Sequence, residues 1–390
     1  MKKMFVCLAI LLFSQCKQQE VKDLAEIDVS QKCTEREMVL QDIASVEYIP
    51  FETNDNTLMS ANFRIVYVSD NYILVTNSSN DDVFVFDGKG KSKFSFNNKG
   101  QSGMEYISLY CVAFDEKAKE IFVSNRYSAE PKFLVYNEDG KFKRSFPFPP
   151  DFSPRDLYSF DDETLLVYDE FGLNNNNYSH KPYVLLSKKD GSMVDSLGIH
   201  LPVRVSNRVT FEVEDDGQMT TGSMTLSIPN NRSYGSSFLI VDWSSDTIYR
   251  LTPKKELQPV IVRTPPVQKS DPKIILSNEL ATDKYIFFAK VVFDFEAAKE
   301  SGPGALPAAS LLYDFETGQL NEYKLMNKDY EARGVRFDVA ITPENTGVYT
   351  LDVSRLLEAD ETGKVKGELK QLLKTLDEED NPVLVKVRFY

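Results

Sequence analysis

Residues 63–97 read FRIVYVSDNYILVTNSSNDDVFVFDGKGKSKFSFN and contain four short runs in which apolar and polar residues alternate. The runs are rich in Val, Ile, Phe and Tyr, and turns rich in Asp, Asn and Gly separate them. Alternation with a period of two is typical of strands, and short turns join neighbouring strands into an antiparallel sheet. The stretch therefore predicts a four-stranded sheet whose last two strands are joined by the turn Asp87-Gly88-Lys89-Gly90.

The same arrangement recurs twice downstream, over residues 109–146 and 156–197. The turn glycines Gly90, Gly140 and Gly191 are 50 and 51 residues apart. A four-strand unit that repeats every ~40 to 50 residues is typical of the blades of a β-propeller, in which each blade buries its faces against its neighbours. The sequence therefore predicts an all-β chain built from antiparallel, four-stranded blades.

Three looser copies follow, and they bring the predicted number of blades to six, with seven shorter blades as the alternative. The fourth copy begins with a strand at 218–227, the fifth covers 273–325, and the sixth begins with a strand at 336–341. Apolar residues at helical spacing in 367–379 predict a short helix inserted in the last blade. Ring closure needs a strand from the other end of the chain, and 45–52 (SVEYIPFE) is predicted to supply it.

The amino terminus has the features of an export signal. Two lysines precede an unbroken apolar run from Met4 to Phe13, which is shorter than the ~20 residues of a membrane span. The run ends in Leu-Phe-Ser-Gln-Cys16, which resembles a bacterial lipobox, and ordinary cleavage near Ser14 is the alternative. We therefore predict a lipoprotein signal at 1–15, lipid attachment at Cys16, a polar tether over 16–36 and a single propeller domain over 37–390.

Charge and composition restrict the function. The formal net charge is -14, which disfavours a nucleic-acid partner. The chain has only two histidines, His180 and His200. An imidazole is the usual base of Ser-His-Asp and Cys-His catalysis, so these two residues leave few options for such an enzyme. The sequence contains no nucleotide-binding or catalytic motif, and we predict no cofactor, although a divalent cation in the central channel stays open.

Residues 43–125 carry a pattern specific enough to suggest a family. The segments are IASVEYIPFET at 43–53, VYVSDNYILVTN at 66–77, VFVFDGKGK at 83–91, NNKGQSGMEY at 97–106 and VAFDEKAKEIFVSN at 112–125. This pattern resembles the six-bladed β-propeller lipoproteins of Bacteroidetes, which are similar in shape to NHL-repeat propellers. The resemblance implies an exported protein, lipid-anchored to the cell envelope at the outer membrane and facing the periplasm or the surface. It implies no particular activity.

Two loops supply the candidate site residues. The loop that carries the family pattern contains Gly100, Gly103, Glu105 and Tyr106, and we interpret it as a structural crossover between blades. An Asn-rich loop in blade three carries the candidate ligand-facing residues Asn175, Asn176, Tyr178 and His180. Asn amides and aromatic rings suit the hydroxyls and faces of sugars. Four more residues lie near strand ends, where they could line a rim, but no spacing singles them out: Arg126, Tyr127, Arg155 and Trp243.

Together these features favour a binding or scaffold module without enzymatic activity, anchored to the membrane through its lipid. The expected partner is a glycan, a peptide or another envelope protein. The alternative is a metal-assisted hydrolase or lactonase of the six-bladed type, in which channel carboxylates and Asn hold a cation.

Overall fold

The computed structural model describes residues 24–171, 181–199, 201, 204–205, 208–215, 218–225, 231–234, 236–294 and 306–390. In these residues the strands, in chain order, are β1 (Ala25–Asp28), β2 (Glu35–Val39), β3 (Ala44–Pro50), β4 (Phe63–Val68), β5 (Tyr72–Asn77), β6 (Asp82–Asp87), β7 (Ser92–Phe96), β8 (Val112–Asp115), β9 (Glu120–Asn125), β10 (Lys132–Asn137), β11 (Phe142–Pro147), β12 (Pro154–Ser159), β13 (Thr164–Asp169), β14 (Tyr183–Ser187), β15 (Met193–Ser196), β16 (Arg208–Asp215), β17 (Gln218–Thr225), β18 (Asn231–Tyr234), β19 (Ser237–Ile240), β20 (Thr247–Leu251), β21 (Leu257–Thr264), β22 (Ile274–Ala281), β23 (Tyr285–Val292), β24 (Ala308–Asp314), β25 (Gln319–Met326), β26 (Thr346–Leu351) and β27 (Val383–Phe389). The helices are α1 (Leu40–Ile43), α2 (Val353–Glu361) and α3 (Gly367–Leu373), with a 3-10 turn at Val267–Lys269.

The strands form a ring of six blades, so the predicted six-bladed β-propeller is confirmed. Blades one, two and three are the antiparallel sheets β4–β7, β8–β11 and β12–β15. Blade four consists of β18–β21, blade five of β22–β25, and blade six of β26, β27 and β3. The turn glycines Gly90, Gly140 and Gly191 have φ values of 81°, 74° and 75°. This left-handed region favours glycine, which explains the regular spacing of these residues in the sequence.

The ring closes on its outer and inner sides. On the outside, β3 pairs antiparallel with β27 from Ala44↔Phe389 to Pro50↔Val383, which confirms the closing strand predicted at 45–52. On the inside, the backbone N–H of Ile341 donates to Val66 of blade one at 3.0 Å. The predicted strand at 336–341 is wrong, because only isolated backbone bonds, such as Asp338 N to Val348 O at 2.7 Å, join this segment to β26.

For residues 24–36, the described part of the predicted polar tether, the prediction of a tether is wrong, because these residues belong to the propeller. β1 pairs in parallel with β21 on the outer edge of blade four, and β2 pairs in parallel with β25 on the outer edge of blade five. Ile27 is 2% exposed and Val29 is fully buried, because alternation in this short charged segment directs both side chains into the core. The strands β1, β2 and β3 thus cover the outer edges of three consecutive blades, and we call them the N-terminal strap.

Two inserted elements also differ from the sequence prediction. The strand predicted at 218–227 belongs to a separate hairpin, β16–β17, and the first strand of blade four is β18. Two helices, rather than one, lie between β26 and β27. The predicted helix at 367–379 is the shorter α3, and α2 begins after Asp352, whose side chain caps it by accepting the backbone N–H of Arg355 at 3.0 Å.

Hydrophobic side chains fill the layers between neighbouring blades. Between blades six and one, Val75 and Phe84 pack in one cluster with Val348 and Leu384. All four side chains are nearly or completely inaccessible to solvent. This packing holds the innermost strands around a central channel.

Candidate functional site

The central channel has two ends that differ in their chain connections. At the end that we call the turn end, short turns such as 69–71 and 116–119 follow the innermost strands. At the opposite end, the loop end, the longer connections between blades enter, including 97–111 and 148–153. Because each innermost strand begins after such a connection, residues at the start of β4, β8 and β12 face the loop end.

A cavity of about 740 Å³ opens at the loop end. Its size lies within the range of roughly 300–1,000 Å³ that is usual for small-molecule sites. Blades one, two, three and six contribute its wall, which includes Arg64, Tyr110, Arg155, Asp156, Asp338 and Thr350. The wall therefore combines hydrogen-bond donors, acceptors and an aromatic ring in one concave surface.

Two tyrosines and an arginine form a fixed group at the edge of this cavity, which we call the Arg126 cluster. The rings of Tyr110 and Tyr127 meet edge to face, with centres 6.0 Å apart. The Arg126 guanidinium lies 4.5 Å from the centre of the first ring and 5.4 Å from that of the second. Its Nη1 donates to Glu170 Oε1 at 2.9 Å and its Nη2 to Ser153 Oγ at 3.0 Å. The tyrosines are thus positioned while 36% and 58% exposed.

Arg155 connects the cavity to blade four. Its guanidinium lies 5.8 Å from the ring of Trp243, which is buried. The preceding residue, Asp242, accepts the hydroxyl of Tyr183 at 2.8 Å and the backbone N–H of Ser244 at 2.8 Å. These bonds fix the loop after β19, and with it the aromatic surface beneath Arg155.

Burial and local charge set the protonation of these groups. Burial raises the pKa of Tyr110 to about 12, and the charge of Glu170 contributes in the same direction. Burial alone would lower the pKa of Arg155, but Asp156 and other neighbours outweigh it and raise that pKa above its ordinary value. The loop end therefore presents a neutral phenol and a permanently cationic guanidinium at neutral pH.

Arg64 and Arg155 both line this cavity, and Arg64 also lines the cavity at the turn end. Within the described residues neither side chain makes a hydrogen bond or an ion pair, and the first is exposed. A groove of about 610 Å³ adjoins the cavity, since Asp338 and Thr350 line both. The exposed Arg336 lines this groove and likewise makes no side-chain hydrogen bond or ion pair to any described residue.

The turn end has a cavity of about 570 Å³, but its polar groups are already engaged with each other. Tyr67 donates its hydroxyl to Glu116 at 2.8 Å, and Asn71 donates its amide to the same carboxylate at 2.9 Å. Lys117 and Asp162 form an ion pair at this end. The loop-end cavity has in addition the exposed ring of Tyr110 and the guanidinium of Arg155, which makes it the better candidate site.

The loop that carries the family pattern is held together by internal contacts. Tyr106 is fully buried, and its hydroxyl donates to Asp81 O at 2.9 Å. The backbone N–H of Ser102 donates to Glu105 Oε2 at 2.8 Å, and a Cβ at Gly100 would collide with this carboxylate. A Cβ at Gly103 would meet only the Lys132 amino group, 3.9 Å away.

The other predicted site residues have different outcomes. The candidates Cys16, Asn175, Asn176, Tyr178 and His180 lie outside the described residues. Sequence reasoning placed Arg126, Tyr127, Arg155 and Trp243 near strand ends without linking them. In the structure Arg155 lines the loop-end cavity and lies against Trp243, while Arg126 and Tyr127 lie against Tyr110, which lines the same cavity. Sequence reasoning missed Arg64 and Tyr110. The one available signal was the location of arginines at strand ends in an acidic chain.

In the described part of the chain, no group of three or more His, Cys, Asp or Glu side chains is arranged to hold a metal ion. None of the helices described combines the length and the apolar character needed to cross a membrane.

The family model for "Domain of unknown function (DUF4934)" matches residues 24–388, which is nearly the whole chain. The chain belongs to the DUF4934 family. This match spans all six blades and the strap. No curated protein matches the DUF4934 sequence described here.

Three solved structures are similar to this chain. A predicted exported protein from Bacteroides fragilis NCTC 9343 is 19% identical with a TM-score of 0.60, covering 92% of this chain and 100% of that one. A DUF4221 family member from Bacteroides vulgatus is 8% identical with a TM-score of 0.48, covering 90% and 99%. Virginiamycin B lyase from Staphylococcus aureus is 10% identical with a TM-score of 0.40, covering 89% and 100%. The family match and the fold of the first relative support the resemblance to Bacteroidetes propellers.

Proposed function

We propose that this protein is a binding module of the cell envelope that holds a saccharide at the loop end of its channel. The observation that carries the proposal is the Arg126 cluster, in which two exposed tyrosine rings stand at the edge of a cavity of about 740 Å³. Flat aromatic rings match the apolar faces of sugar rings, and nearby polar groups bond the hydroxyls. Cavity, rings and polar groups occur together at this end.

The bonds of the Arg126 cluster favour a preformed site. Arg126 is held by Glu170 and Ser153, so both tyrosines lie against a fixed guanidinium before any ligand arrives. Less freedom is then lost on binding, which favours affinity for a ligand that makes few contacts. A peptide or a partner envelope protein remains the competing type of ligand, and the experiment below separates these cases.

We also propose that the protein is exported and anchored to the outer membrane through lipid on Cys16. The support is the apolar run Met4 to Phe13 followed by the cysteine, and the sequence pattern of the family. Globomycin should block maturation, and Cys16→Ala should move the protein from the membrane fraction to the soluble fraction. Normal processing and membrane association of this variant would contradict the anchor.

The alternative function, a metal-assisted hydrolase or lactonase, would hold a cation with carboxylates and Asn of the channel. Across residues 24–171 and the other described ranges, no group of three or more His, Cys, Asp or Glu is arranged to hold a metal ion. The tyrosine rings and the guanidinium at the loop end favour binding, so binding is the function that we propose.

A glycan array tests the proposal with the full chain in detergent. We expect saccharide binding that falls about tenfold in Tyr110→Ala and in Tyr127→Ala, as the loss of one ring contact predicts. Tyr390→Ala is the matched control, because this exposed tyrosine lies at the carboxyl terminus and outside the cavity. Absence of saccharide binding, or capture of peptides alone in a parallel peptide array, would overturn the proposal.

A further inference from the structure

The loop end contains guanidinium groups that form no ion pair with any described residue, in a chain where acidic residues outnumber basic ones. The chain has 59 Asp and Glu against 45 Lys and Arg. Four arginines of the described residues form ion pairs with carboxylates: Arg126 at the loop end with Glu170, and Arg36, Arg144 and Arg388 elsewhere with Asp314, Glu120 and Asp70. Arg263 and Arg333 donate to backbone carbonyl groups instead. Arg64 and Arg155 face the same cavity, and within the described residues neither forms such a pair.

An unpaired guanidinium in a concave site is a ready binding group for an anion. Each guanidinium carries five N–H donors in a planar fork that matches the oxygens of an acidic group, and the resulting bonds are charge-assisted. The Trp243 ring lies against Arg155 on one side, 5.8 Å from its guanidinium carbon, which leaves the edge of the fork available. Arg336 extends the same donor chemistry into the adjoining groove.

The negative charge of the chain and of the cavity wall limits the number of anionic groups that a ligand can carry. The formal net charge of -14 repels dense polyanions, and Asp156 and Asp338 line the cavity beside the two arginines. Carboxylates accept hydrogen bonds from hydroxyl groups, which a saccharide supplies. The wall therefore matches a ligand with many hydroxyls and widely spaced anionic groups.

We propose that the loop-end cavity and its groove bind an acidic oligosaccharide, whose anionic groups contact Arg64 and Arg155 in the cavity and Arg336 in the groove. This inference rests on the proposed saccharide-binding function and names the class of ligand. The anionic group is a carboxylate, as in a uronate, or a sulfate ester, since a guanidinium fork binds either. The Arg126 cluster contacts a sugar face, and the unpaired arginines select its charge.

Titration calorimetry with matched ligands tests the inference on the full chain in detergent. The probes are galacturonate oligosaccharides and their methyl esters, and sulfated galactose oligosaccharides and their desulfated forms. We expect the acidic member of one pair to bind at least about tenfold more tightly than its neutral partner, as charge-assisted bonds predict. The pair that shows the difference identifies the anionic group.

Arginine variants assign the effect to the site. Arg64→Ala and Arg155→Ala should each lower affinity for the acidic probe about tenfold or more, with little change for the neutral one. Arg388→Ala removes the same charge at the turn end, beside Asp70, and should leave affinity unchanged. Arg64 is exposed, so its variant tests the inference even if Arg155→Ala fails to fold.

The outcomes separate the two proposals. Equal binding of acidic and neutral probes, with loss in Tyr110→Ala, would overturn the acidic ligand and keep the saccharide site. A preference for the acidic probe that survives in both arginine variants would also overturn the inference. No binding of any probe or of any arrayed saccharide would overturn both proposals.

Discussion

The guanidinium of Arg126 lies 4.5 Å from the ring centre of Tyr110, and this contact depends on a carboxylate from the next blade. Glu170 follows β13 in blade three, whereas both members of the contact belong to blade two. An ion pair between blades, with side chains 18% and 12% exposed, therefore holds the Arg126 cluster in place.

Arg126→Met should weaken folding as well as binding. The substitution leaves Glu170 largely buried without its partner, which costs about 3 kcal/mol in the free energy of unfolding. The double variant Arg126→Met, Glu170→Met should recover most of this loss without recovering saccharide affinity. Urea unfolding and calorimetry measure the two quantities. A double variant that regains full affinity would show that the arginine does not position the tyrosines.

Lys188→Met should strongly destabilise the interface between blades two and three. The amino group of Lys188 donates to Asp115 Oδ2 at 2.5 Å, to Ser159 Oγ at 2.7 Å and to Asp161 O at 2.5 Å. The lysine and Asp115 side chains are both 7% exposed, so the variant leaves a buried carboxylate uncompensated, at a cost of about 3–5 kcal/mol.

Lys117→Ala is the matched control for that variant. Its partner is Asp162, and the two side chains are 75% and 65% exposed. Exposed ion pairs contribute little to folding, so thermal unfolding should not change measurably. Equal effects of the two lysine variants would contradict the structural role of Lys188.

Ile27→Ala should destabilise the ring although the residue lies in a segment whose sequence resembles a linker. The side chain is 2% exposed and packs with Leu239, Ile248 and Ile261 of blade four. Removing it from this core should lower the free energy of unfolding by about 2–4 kcal/mol. Leu24→Ala, at a position 47% exposed, should change it by less than about 0.5 kcal/mol. Equal urea midpoints for both variants would show that β1 does not support the fold.

Asp81 should make folding dependent on pH under acidic conditions. Burial by itself raises the pKa of this carboxyl, but bonds from Lys99 at 2.6 Å, from the Leu109 backbone at 2.7 Å and from Ser108 outweigh burial, so the pKa lies below 3.8. The unfolded chain then binds the proton more tightly than the folded chain. The stability from Asp81 is therefore complete above the unfolded pKa and is lost as the pH falls through the folded pKa.

Urea unfolding from pH 6 down to pH 3 checks this prediction. The free energy of unfolding should fall with pH below about 4 in the natural chain and fall less in Asp81→Asn. Asn also tolerates the positive φ of 63° at this position, so the backbone should be unaffected. Identical pH dependence in both proteins would exclude a contribution from Asp81.

The sequence supports the first three blades well because the information there is local. Strands such as β6 and β7 are joined by a turn whose glycine, Gly90, has a positive φ, so a short window contains the whole signal. The strap differs. β1 has four residues, and its partners lie more than 230 positions away at 261–264, so no local pattern predicts the pairing.

The candidate site was less predictable for the same reason. Arg126 and Trp243 lie on connections of blades two and four, whereas Arg155 lies in β12 of blade three, and the packing of these blades brings them close to one cavity. Their chemistry was visible in the sequence, but their proximity was not. Arg64 lies near the start of β4, but the sequence does not show which side chains surround it; that it forms no ion pair with a described residue is seen only in the assembled channel.

The N-terminal strap also determines how a lipid-anchored propeller would be oriented on its membrane. With acyl chains on Cys16, as proposed, only eight residues separate the lipid from the start of β1 at Ala25. At roughly 3.3–3.6 Å per residue, eight residues span at most about 30 Å. This segment continues into β1, which pairs with β21 on the outer edge of blade four and not at either end of the channel. The lipid anchor would then be attached at the outer edge of the propeller. Both the turn end and the loop end of the channel would stay accessible to ligands in solution.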